Sequence, residues 1–151
     1  MGDWKAKWIS PDWDEDTKKP QPSPMLRGTF QVKEEVRSAR AYVTSLGLYE
    51  LHLNGVRVGD QLFTPGWTSY HKRLQYQTYD VTEMVRPGEN AAGVILGDGW
   101  YRGYIGWQDR RNAYGDRLAA LIQIQLTFTD GSTQTVVSDE SWKATTGPIL
   151  S

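Results

Sequence analysis

Leu51-His52-Leu53-Asn54-Gly55-Val56-Arg57-Val58 places two short runs of alternating apolar and polar residues on either side of Asn54-Gly55. Alternation with period two sends every second side chain to one face of an extended chain. Asn-Gly accepts the positive φ angles of a two-residue type I′ turn, whose twist suits two antiparallel strands. The stretch therefore reads as a β-hairpin. Upstream, Leu26, Phe30 and Val32 in LRGTFQV fall on even positions, the spacing of a half-buried strand, and Val43 begins a similar pattern in the run from Ala41. Downstream, QYQTYDV (75–81) is rich in strand formers, Thr82 stands where it could cap a single helical turn TEMV, and Pro87-Gly88 marks a turn. Ala92 to Leu96 reads as a short buried strand. In Ala119 to Thr129, Leu121 or Ile122 and then Ile124, Leu126 and Phe128 alternate with Gln and Thr. A turn at Asp130-Gly131-Ser132 and a strand from Thr133 to Val137 complete a second hairpin.

Strands recurring with turn signals between them, and no amphipathic helix of about 10 residues, point to an all-β antiparallel β-sandwich. The expected core comprises Phe30, Val43, Leu51, Leu53, Val81, Val94, Leu96, Ile124, Leu126 and Trp142. With 151 residues the chain has the size of one domain. Residues 1–25 read as an N-terminal extension and 26–151 as the sandwich domain; PDWDEDTKKPQPSP (11–24), with four prolines and little that is apolar, has the composition of an exposed connection.

Lys and Arg number 17 against 18 acidic residues, for a net charge of −1, so no broad field draws a polyanion and nucleic acid is not an expected partner. No cysteine is present, which excludes disulfides and cysteine-based metal or redox chemistry. MGDWKAKWIS has no apolar run of the signal-peptide kind, and no stretch approaches the roughly 18 apolar residues of a membrane span. A soluble, cytoplasmic protein with no membrane partner is the expectation on that ground. His52 and His71 lack companions at ligand spacing, and Asp12, Asp14, Glu15 and Asp16 lack the oxygen spacing, central Gly and distal Glu of a calcium loop, so no metal or other cofactor is expected and a solvated acidic loop is. Gly97-Asp98-Gly99 has no βαβ context for nucleotide binding. Seven Trp, eight Tyr and three Phe suit either stacking on sugar rings or filling a sandwich core.

The order SLGLYELHLNGVRVGDQLFTPGWTSYHKRLQYQTYDVT (45–82), LGDGWYRGYIGW (96–107), RNAYGDR (111–117) and SDESWKATTGPIL (138–150) resembles the N-terminal domain of bacterial α-L-rhamnosidases. More broadly, LHLNGVRVG resembles the jelly-roll, galactose-binding-like domains that accompany glycoside hydrolases. The resemblance runs from about Leu26 to the C-terminus. It implies that the parent is an inverting α-L-rhamnosidase, with its general acid and base on an (α/α)6 barrel farther along the polypeptide. This chain would then be an accessory fragment with no hydrolytic activity of its own. Its implied partners are the downstream domains of the same polypeptide, with rhamnosides as a further ligand class.

Gly97 to Arg117 holds five aromatics, four arginines and three aspartates among five glycines, an unusually long connection between two strands. One reading has Trp100, Tyr101, Tyr104 or Trp107 offering a ring face to a sugar while Asp98, Arg102 or Arg110 binds its hydroxyls, at the rim of the barrel's cleft or independently. The other has the same side chains docking the domain onto its neighbours, since Tyr, Trp and Arg are enriched in interfaces. Trp67, Tyr70 and Arg73, in TPGWTSYHKR (64–73), could join that surface or serve structurally, with Pro65-Gly66 setting a turn and Trp67 covering a sandwich edge.

Overall fold

The computed structural model describes residues 4–106 and 110–150. Among the described residues nine strands carry the fold: β1 (Pro22–Val32), β2 (Val36–Leu46), β3 (Leu48–Leu53), β4 (Val56–Arg57), β5 (Gln77–Asp80), β6 (Gly88–Gly97), β7 (Ala119–Phe128), β8 (Thr133–Val137) and β9 (Lys143–Leu150). They form two antiparallel sheets, ordered β4-β3-β6-β1-β9 and β5-β2-β7-β8. The chain passes repeatedly from one sheet to the other, as in a jelly roll, so the inward faces of both sheets share one core.

The Asn54-Gly55 hairpin forms as its sequence requires. His52 pairs with Arg57 and Leu53 with Val56, and the two turn residues have φ of 51° and 83°. The second hairpin joins β7 to β8, with the Gly131 N–H donating to the Phe128 carbonyl at 3.0 Å and Gly131 at φ 84°. The Asp130 carboxylate accepts from the Ser132 N–H and hydroxyl, which closes the turn.

Strand phase follows the period-two pattern. Val43, Leu51, Leu53, Val81, Val94, Leu96, Ile124 and Leu126 are at most 1% exposed, while Phe30 and Trp142 pack against the core from partly buried positions. On β7 the inward residue is Ile122, with Leu121 only half-buried. Each fully buried aliphatic side chain contributes about 1.5–3 kcal/mol relative to exposure. Gly28, buried on β1, leaves room for the Trp142 indole: a Cβ there would lie 2.5 Å from the ring. Gly28→Val is therefore expected to cost about 1–3 kcal/mol in urea denaturation through overpacking; an unchanged midpoint would mean that Trp142 swings aside freely.

Two local expectations are corrected. The segment read as an exposed loop through residue 24 enters β1 at Pro22, and Pro11, Ser23 and Pro24 are buried. Proline is tolerated there because the β6 ladder begins at Met25, so Pro22 and Pro24 pair only with β9, across a register shift. Farther upstream, Ile9 bridges Ala120 and the Lys7 N–H donates to the Ser138 carbonyl, because β8 pairs with β7 only along Gln123–Thr127 and leaves that end open. Thr82 is also not a helix cap. It opens a 3-10 turn, Thr82–Met84, that has no side-chain cap, and its hydroxyl accepts from the Ala39 N–H while donating to Asp80.

Candidate functional site

The long connection between β6 and β7 opens with one helical turn, α1 (Gly99–Arg102), and lies against two other segments, 10–19 and 61–74. Spacing within α1 decides its base. Asp98 and Arg102 are four residues apart, so the turn brings the Arg102 Nε to 2.5 Å from an Asp98 carboxylate oxygen. From there the guanidinium Nη1 reaches Glu15, and the second Asp98 oxygen accepts from Arg111. Arg102 is 0% and Asp98 4% exposed, which makes Glu15–Arg102–Asp98–Arg111 a buried chain of two positive and two negative groups. Buried charges persist only when paired and hydrogen-bonded, so the chain of charges holds the 10–19 segment against two parts of the β6–β7 connection. Asn112, at φ 59°, donates its backbone N–H to the Arg102 carbonyl and its side-chain amide to the Thr17 carbonyl.

Above this base lie the aromatic side chains. Trp67 and Trp100 stack with ring planes 2° apart and centroids 5.8 Å apart, and Phe63 meets Trp100 edge-on at 6.1 Å. The Trp67 Nε1–H donates to the Tyr114 hydroxyl at 3.1 Å. Beneath them Tyr70 packs against Tyr101 and Tyr114, with centroids 5.1 and 5.0 Å away, and burial holds the Tyr70 and Tyr101 phenols above their ordinary pKa. The segment 61–74 is tied to the sheet by the Thr64 hydroxyl donating to the Tyr49 carbonyl and by Tyr49 N–H donating to the Thr64 carbonyl. The outer layer thus consists of Phe63 (66% exposed), Trp67 (53%) and the half-buried Trp100. Tyr104, also exposed, lies to one side with the Arg111 guanidinium 4.9 Å over its ring.

The sequence candidates therefore separate into two levels. Trp67, Arg73, Trp100, Tyr104 and Arg110 reach the surface to different degrees, whereas Tyr70, Asp98, Tyr101 and Arg102 lie beneath it and hold the loops. Trp107 falls outside the described residues. Arg110 contributes its carbonyl to a bridge with Ile105, and Arg73 belongs to a backbone turn closed on the Ser69 carbonyl. Sequence reasoning missed Phe63, Tyr114, Arg111 and Glu15. The available signal for Phe63 was an apolar Leu62-Phe63 pair in a turn segment with no strand phase to account for it. Glu15, read as part of a solvated acidic loop, instead pairs with buried Arg102. Among the described residues no group of three or more His, Asp or Glu side chains is arranged to hold a metal ion.

The chain is thus an antiparallel β-sandwich with Phe63 and Trp67 exposed on its loops. The chain belongs to the α-L-rhamnosidase N-terminal domain family, whose model matches residues 34–151. It is 44% identical over 147 residues to an α-L-rhamnosidase of Streptomyces avermitilis, spanning 97% of this chain but 14% of that protein. The crystal structure of an α-L-rhamnosidase from Aspergillus terreus superposes with a TM-score of 0.94 at 44% identity, over 97% of this chain and 17% of that one. The Streptomyces avermitilis α-L-rhamnosidase crystallised with L-rhamnose superposes with a TM-score of 0.83 at 46% identity, over 86% of this chain and 13% of that one. The chain thus corresponds to a small share of each relative's length.

Proposed function

We propose that this domain is an accessory module of an α-L-rhamnosidase that removes terminal α-L-rhamnosyl residues, and that it supports or completes the catalytic domain rather than reacting itself. The observation that carries this reading is the exposed Phe63–Trp100–Trp67 face, in which Trp100 sits on the helical turn that the Glu15–Arg102–Asp98–Arg111 chain holds and Trp67 donates to the Tyr114 hydroxyl. Large aromatics placed in a fixed geometry at the surface are what an interface core uses, because their rotamers are ordered before association. Hydrolysis is assigned to a separate (α/α)6 barrel of the parent polypeptide and to an inverting mechanism. Inversion needs two carboxyl groups roughly 6.5–9.5 Å apart with a water between them and the sugar. The purified chain is accordingly expected to release no p-nitrophenol from p-nitrophenyl α-L-rhamnoside. Turnover that disappears when one of its own acidic residues is replaced would contradict this.

A second reading, an independent carbohydrate-binding module, is favoured by the 53% exposure of Trp67, whose one ring partner among the described residues is Trp100. Calorimetric titration with L-rhamnose and rhamnosides separates the two. A saturable heat abolished by Trp67→Ala supports a sugar-binding module, and a flat titration supports docking.

A further inference from the structure

The outer face of the five-stranded sheet carries a groove of about 720 Å³, and none of the aromatic loop residues lines it. Strand register explains both its shape and its charge. Arg57 pairs with His52, His52 with Gly93, Gly93 with Arg27, and Arg27 with Lys143, so these residues form one row across all five strands. At a strand spacing of roughly 4.8 Å the row is about 19 Å long. Gly93 has no side chain to fill the middle, and a Cβ built there would meet nothing closer than the Leu26 carbonyl oxygen at 3.8 Å. Met25 and Ile95 on the adjoining row supply an apolar flank.

Every side chain in the row is basic. At one end Glu50 holds His52 at 2.7 Å and Arg57 at 3.3 Å. At the other, Arg27 and Lys143 are directly opposite each other, exposed, and without an ion-pair or hydrogen-bond partner for either side chain among the described residues. Like charges directly opposite across a ladder destabilise a sheet, and an anion between them relieves the repulsion.

We propose that this groove binds a linear acidic polysaccharide, with a carboxylate-bearing sugar seated between Arg27 and Lys143 and the next ring lying over Gly93. Three features select this occupant. The groove lies over β6 and β1, interior strands paired on both sides, so a peptide in it could not add to the backbone ladder in the usual sheet-edge mode of peptide binding. The unpaired cations are confined to one end, which suits a carboxylate on particular rings better than a phosphate on every unit of a nucleic acid. The side-chain-free position at Gly93 beside Met25 and Ile95 offers an apolar bed for the C–H face of a sugar. This site does not depend on the docking role proposed for the aromatic face.

Tetragalacturonate titrated calorimetrically into the 151-residue chain at physiological ionic strength tests the proposal. Saturable binding is expected, with none for neutral galactotetraose. Arg27→Ala and Lys143→Ala should each weaken it about fivefold, and the double reversal Arg27→Glu with Lys143→Glu should abolish it. Gly93→Phe, which fills the groove and leaves every charge in place, should also abolish it, with melting curves reporting that each variant is folded. Trp67→Ala and Trp100→Ala should leave it unchanged, so failure of the docking reading and failure of this one are read separately. The proposal is overturned if tetragalacturonate does not bind, if binding survives Gly93→Phe or the double reversal, or if tetraglutamate binds equally well.

Discussion

Replacing Arg102 with Leu should destabilise the domain by about 3–5 kcal/mol, the loss that follows when one partner of a buried ion pair is removed and the other charges stay buried. Arg102 is 0% exposed and serves Asp98 through Nε and Glu15 through Nη1, while Asp98 is itself held by Arg111. Leucine would leave Glu15 without its cation and Asp98 with half its pairing. That cost is a large fraction of the roughly 5–15 kcal/mol by which a domain of this size is stable. Arg102→Lys keeps the charge but not the planar fork that reaches two carboxylates at once, so an intermediate loss is expected. Urea denaturation of both variants measures the effect. A loss below about 1 kcal/mol for Arg102→Leu, within the range of exposed pairs, would show that the chain of charges is solvated and does not clamp the loops.

The second large effect is expected in the parent enzyme. Trp100→Ala removes the ring on which both Trp67 and Phe63 rest. If the aromatic face is the docking surface, the substitution should cost about 2 kcal/mol or more of interdomain contact, as for a central aromatic in an interface. The readout is a lower melting temperature of the parent with a smaller change in this chain alone. A rise in KM without a fall in melting temperature would place the face at the substrate cleft instead. Kinetics and melting temperature both unchanged would show that the face serves neither purpose.

The fold was largely legible because its signals are local. Asn54-Gly55 declares its turn through two residues that tolerate positive φ, and alternation along LHL and QIQLTF selects the buried side of each strand without reference to any partner. What was not legible depends on contacts between residues far apart in the chain. Nothing near Ile9 announces that it will bridge Ala120, and the prolines around it suggest a plain loop. Glu15 and Arg102 are 87 positions apart, so the ion pair that buries Arg102 has no sequence signature, and Arg102 reads more naturally as a surface ligand. The aromatic content of the loop did point to a site. Its division into a buried layer of Tyr70 and Tyr101 and an exposed layer of Phe63 and Trp67 depends on how three segments pack together, which the pattern of one segment does not contain.

The role proposed for this domain is to dock its aromatic face onto the rest of an α-L-rhamnosidase. The most direct test mixes the purified 151-residue chain with the parent enzyme lacking this domain and measures association by calorimetry. A saturable one-to-one complex is expected, and it should disappear when Trp67 and Trp100 are both replaced by Ala. Absence of a complex, or a complex of unchanged affinity with the double variant, would contradict it.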